Sequence, residues 1–146
     1  MIAERLATVA SGLFTGASIY INLVEHPARM QAGTQLALTE FAPSYHRATR
    51  MQVSLAALGF VSALRAWRSS GDARWLVGGG VLVAVIPFTV LAILPTNKQL
   101  LDPATARDLE HAKQLLTRWG RLHAVRSIAS LASLLLFVYL LGQRRG

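Results

Sequence analysis

The feature that most constrains this chain is a pair of uncharged apolar runs, Leu6 to Val24 and Trp75 to Leu94. A helix needs roughly 20 apolar residues to cross about 30 Å of hydrocarbon, and both runs supply that length. A backbone in lipid must satisfy its own polar groups, so runs of this kind are helices. With 53% hydrophobic and 15% charged residues, a chain of 146 residues is also too apolar for an ordinary soluble domain. The expectation is a single all-α domain over residues 1–146, a polytopic membrane protein built as an up-down bundle of four transmembrane helices. Its spans fall near residues 5–25, 46–67, 75–95 and 121–142. The first run has no small-residue cleavage site leading into a soluble mature domain, so it reads as a retained span and not a signal peptide.

The first run carries Ala10, Ser11, Gly12, Gly16, Ala17 and Ser18, small residues that suit close helix packing in lipid. The third carries Pro87, which removes a backbone donor and predicts a kink. The second and fourth spans are harder. Met51 to Leu64 and Ser127 to Leu141 are uncharged over only about 14 or 15 residues, roughly 21 to 23 Å at the helical rise. Extending them backward brings in Arg50, Arg47 and His46, and Arg126, His123 and Arg121. Ionisable groups at membrane depth are costly unless they face inward, pair or snorkel, so Arg50 and Arg126 are expected to face the bundle interior.

The Arg68 to Arg74 segment reads as a plain turn. Asp102-Pro103 opens an amphipathic helical connection between spans three and four, with Asp102 as its N-cap and Leu109, Leu115, Leu116 and Trp119 available to the interface. The net charge of +8 sits at the flanks of the apolar runs, which argues for headgroup anchoring and against nucleic acid. There is no cysteine, which excludes disulfides, thiolate metal sites and cysteine nucleophiles. The face holding the termini carries Arg5, Arg65, Arg68, Arg74, Arg144 and Arg145, against nine basic residues on the other face. If Arg47, Arg50, Arg121 and Arg126 are buried, the balance tips toward cytoplasmic termini in the cell membrane.

The polar residues gather where four span ends meet. Span one delivers Asn22, Glu25 and His26, and span two delivers Tyr45, His46, Arg47 and Arg50. Span three delivers Thr96, Asn97 and Lys98, and span four delivers Trp119, His123 and Arg126. His46 and Arg50 are four apart, and Trp119, His123 and Arg126 are spaced by four and three, so each set forms one helical stripe. The bland account of such a stripe is an interfacial belt with snorkelling cations. Glu25-His26 favours a network, because a carboxylate and an imidazole can satisfy buried guanidinium groups. The arrangement resembles a pocket at one mouth of a helix bundle.

Two chemistries suit these residues. A neutral imidazole, His26 or His123 with Glu25 and His46 as neighbours, can act as a base toward an activated carbon or phenol. Arg50, Arg126, Lys98 and Asn97 would steady the oxyanion, and Trp119 and Tyr45 would line the pocket. This version requires no cofactor. Alternatively His26, His46, His123 and Glu25 could hold iron or copper, with haem as a variant. His111, in the connection beside Glu110, reads as a solvated residue.

On these residues the sequence resembles the anthrone oxygenase-like family of small four-helix integral membrane proteins. The resemblance rests on a Gly-rich first span running into Glu25-His26-Pro27, on Tyr45 to Arg50, on Pro95-x-Asn97 with Leu100, and on Trp119 with His123 and Arg126. It implies four membrane helices and oxidation of an anthrone to an anthraquinone by molecular oxygen without an evident organic cofactor. The leading expectation is a membrane-embedded oxidoreductase, a monooxygenase acting on a hydrophobic aromatic, anthrone-, phenol- or quinone-like substrate that arrives from the lipid. The competing one is a non-enzymatic lipid- or quinone-binding membrane protein or small transporter with a charged pocket. A third treats the network as a structural clamp. The sequence leaves a homo-oligomer open.

Overall fold

Two glycines and two aspartates set the corners of the chain. The computed structural model describes residues 1–143. Helix α1 (Ile2–Tyr20) runs through a π-helical turn (Ile21–Glu25) into α2 (His26–Gln31) as one rod. Gly33, with φ +102°, turns the chain into α3 (Thr34–Ser70), and Gly71, with φ +72°, ends that helix. A side chain at either glycine would meet the steric penalty of the left-handed region. Helix α4 (Arg74–Phe88) passes through a second π-turn (Thr89–Ile93) into α5 (Leu94–Leu101). Asp102 accepts a hydrogen bond from the Ala104 amide at 2.9 Å, capping a 3-10 turn (Pro103–Arg107). Asp108 accepts one from the His111 amide at 3.0 Å and opens α6 (Leu109–Gln143).

The four rods form an up-down bundle in which α1 and α4 each pack between α3 and α6. No strand occurs among the described residues. Three rods, Ile2–Gln31, Arg74–Leu101 and Leu109–Gln143, are long and apolar enough to cross a membrane, and α3 is the further helix. Their outward faces carry Leu13, Leu23, Val77, Leu91, Ile128 and Leu135, which suits membrane insertion. Small residues let the rods approach: a Cβ on Gly78 would stand 2.5 Å from the Phe137 ring, which stacks on Trp75 at 5.2 Å.

Several expectations change. The connection after span one shrinks to Ala32 and Gly33, because α2 and the first turns of α3 are helical. The fourth span lies within α6, a helix long and apolar enough to cross. Its amphipathic opening turns are continuous with the span, and Leu115, Leu116 and Trp119 are buried against Phe41, Ile93 and Leu100 instead of lying in an interface. That cluster plugs the end of the bundle. Arg47, Arg50 and Arg121 are exposed, and Arg29 and Arg126 are the basic residues drawn inward, so the condition that tipped the charge balance does not hold. Arg144 and Arg145 lie outside the described residues.

Candidate active site

Both π-turns lie at the same end of the bundle, and a proline stands just beyond each. The ring of a proline clashes with the carbonyl four residues earlier. A wider turn bonded five residues apart removes that clash: the His26 amide reaches the Ile21 carbonyl just before Pro27, and the Leu94 amide reaches that of Thr89 just before Pro95. The extra residue in each turn rotates the succeeding part of the rod. Asn22, His26, Arg29, Thr96 and Asn97 thereby point into the bundle and are buried or half-buried.

Asn22 is the centre of the first network. Its Nδ2 donates to the Gly120 carbonyl at 3.0 Å, which fixes the amide so that Oδ1 faces α6. Oδ1 accepts from Ser127 Oγ at 2.6 Å and lies 2.7 Å from His123 Nδ1. An acceptor at that distance puts the proton of a neutral His123 on Nδ1 and leaves Nε2 with its lone pair. The Trp119 ring packs against both imidazoles, 4.8 Å from His123 and 5.1 Å from His26. Gly120 makes room for this, because a Cβ there would stand 2.7 Å from His26 Cδ2 and Nε2.

The second network surrounds Arg29. Its guanidinium pairs with Glu25, meets Glu40 at 2.7 Å and donates to Ser44 Oγ at 3.3 Å, while Ser44 donates to Glu25 at 2.8 Å. Arg126 is built differently. Its Nη2 donates to Gln52 Oε1 at 2.5 Å and its guanidinium lies over the Phe14 ring at 5.6 Å. No ion pair among the described residues includes Arg126, and its Nε and Gln52 Nε2 are buried without hydrogen-bond partners.

These side chains line a small cavity of about 30 Å³, bounded by Glu25, Arg29, Tyr45, Asn97, Trp119, His123 and Arg126, among others. Of the residues singled out by sequence, Glu25, Tyr45, Asn97, Trp119, His123 and Arg126 thus come together, with His26 behind Trp119. His46, Arg50 and Lys98 do not: all three are exposed on outer faces. The reason is register. Gln52, Ala48 and Tyr45 form the inward stripe of α3, so positions 46 and 50 fall to the outside. Arg29, Ser44, Gln52 and Ser127 were missed. The i, i+4 pair Glu25/Arg29 and a lone glutamine in an apolar run were the signals available. The residues proposed for a metal do not assemble: among the described residues no group of three or more histidine or acidic side chains is close enough to hold one, and His46 is exposed on an outer face.

The family model for anthrone oxygenase matches residues 41–136. An anthrone oxygenase of Aspergillus fumigatus is 27% identical over 139 residues, covering 88% of this chain and 86% of that protein. The anthrone oxygenase of Claviceps purpurea is 29% identical, covering 88% and 82%. That of Pestalotiopsis fici is 31% identical, covering 66% and 79%. No solved structure matches the chain.

Proposed function

This chain belongs to the anthrone oxygenase family, and from that premise we propose that it is a membrane-embedded monooxygenase that converts the central methylene of an anthrone-like phenol to a carbonyl with molecular oxygen. His123 Nε2 takes a proton from the methylene carbon. The electron pair left behind spreads into the ring carbonyl as an enolate, and Arg126 and Asn97 steady its oxygen. The carbon passes its electrons to dioxygen and forms a C–O bond. Loss of water from the resulting peroxide leaves the quinone: one oxygen atom stays in the product and the other departs with two hydrogens. No metal or organic cofactor takes part in this scheme. Glu25 acts through Arg29, and His26 acts by seating Trp119. Lys98, Arg50 and His46 have no role, because they are exposed.

The observation that supports the reading best is the hydrogen bond between His123 Nδ1 and Asn22 Oδ1 at 2.7 Å, which gives a cavity-lining imidazole the tautomer of a base. The test is oxygen uptake by the purified protein with a hydroxylated anthrone. Uptake with one quinone formed per oxygen consumed, lost in His123→Ala, supports it; uptake indifferent to His123→Ala sinks the assignment. The unpaired Arg126 favours one other reading, a non-enzymatic binder of an anionic lipid or quinone. A phospholipid retained in native mass spectrometry and released by Arg126→Leu, with no turnover of anthrones, would decide for it.

A further inference from the structure

The end of the bundle is plugged, yet the inner cavity is not sealed. Ala37, Phe41, Leu100, Leu115 and Leu116 close the end above Trp119, each no more than 5% exposed. Below this plug a second, larger cavity of about 150 Å³ adjoins the first, and the two share Tyr45, Thr49, Gln52 and Arg126. Its remaining walls are nearly all apolar: Phe14, Val53, Val85, Ile86, Val90 and Leu94, with Thr89. Val53 on α3 and Val90 on the second π-turn form its lips and are 46% and 53% exposed, on the faces that suit lipid. Another groove, between α1 and α3, reaches the inner cavity at Glu25 and Ser44. Glu40 and Arg47 line it, and the Arg29 network crosses its inner end. That opening suits water and protons.

We propose that the polycyclic phenol reaches His123 sideways from the hydrocarbon layer, between α3 and the π-turn at Thr89–Ile93, and that Gln52 and Arg126 at the junction of the two cavities select it by its acidic hydroxyl. This inference rests on the proposed function for the identity of the occupant. Three features carry it. The lips are apolar, as a fused-ring molecule dissolved in lipid requires. The junction holds a half-buried cation, its Nε enclosed and no carboxylate beside it, which favours an arriving phenol that can carry negative charge. The wall is a π-turn, whose wider ring leaves the helix surface uneven at the point where the cavity opens.

The chain has no cysteine, so a single introduced thiol can be plugged and unplugged. Val53→Cys and Val90→Cys would each be compared with themselves before and after modification by a bulky methanethiosulfonate, in lipid nanodiscs. The probe is 1,8-dihydroxyanthraquinone, and its association is monitored by quenching of tryptophan fluorescence. Modification at either lip is expected to slow association at least tenfold, with dithiothreitol restoring it, whereas modification of Met51→Cys on the opposite groove changes nothing. Unchanged association at both lips, slowing at Met51→Cys alone, or failure of the unmodified protein to bind the probe would overturn the proposal. Oxygen uptake with an anthrone in the same samples separates the two readings: lip-dependent binding without any turnover would sink the catalytic function and leave the route standing.

Discussion

Arg29 and Arg126 line the same cavity and are treated in opposite ways. Arg29 has two carboxylates and a serine around it, contributed by the first rod and α3. Arg126 has an amide and a phenyl ring. A buried cation is costly unless it is paired. The first is therefore a fastening between helices, complete without any ligand. The second is an incomplete pair, and under the proposed function its missing member is the substrate's charge.

The contrast is broken most directly through the base beside Arg126. His123→Ala should lower oxygen uptake per folded molecule by roughly 10² to 10⁴, the range for loss of a general base; a loss under tenfold removes His123 from the chemistry. Arg126→Leu should cost about 10² in activity, the scale of one lost oxyanion donor, while stability holds or rises because an unpaired buried charge is gone. Arg29→Leu should do the reverse, lowering stability by roughly 1 to 3 kcal/mol because two partly exposed carboxylates lose their partner, with a smaller effect on the rate per folded molecule. Equal thermal shifts in the two variants would erase the distinction. Gly120→Val should cost about 1 to 3 kcal/mol by overpacking against His26, read as a lower melting temperature. The smallest effects belong to Arg50→Ala and Lys98→Ala, which should stay within about 0.5 kcal/mol and leave oxygen uptake unchanged. A tenfold loss in either would return those side chains to the site.

How far the site could be read from sequence differs from rod to rod. On α6, Trp119, His123 and Arg126 were legible because helical spacing and an adjoining apolar run fix which face turns inward. On α3 the same reasoning chose His46 and Arg50, one stripe away from the inward Tyr45, Ala48 and Gln52. The rule that charge at membrane depth must point inward assumes depth, and α3 is the rod not apolar enough to fix it. On the first rod, Glu25 and His26 were legible as polar residues at a span end, but the π-turn that aims them was not. Glu25-His26-Pro27 carries the proline that a wider turn relieves, yet proline alone does not distinguish a kink, a helix end or a π-turn.

By itself the sequence determined the all-helical class, the up-down order of the rods and the end of the bundle where polar residues collect, because apolar run length and helical periodicity are local properties. Only the tertiary structure decided which arginine is paired, which imidazole nitrogen carries the proton and where the cavity opens. Those depend on contacts between residues far apart in the chain, such as Asn22 with His123 and Gln52 with Arg126. Such contacts are fixed by the rotation of each rod about its axis, which spacing within one helix does not contain.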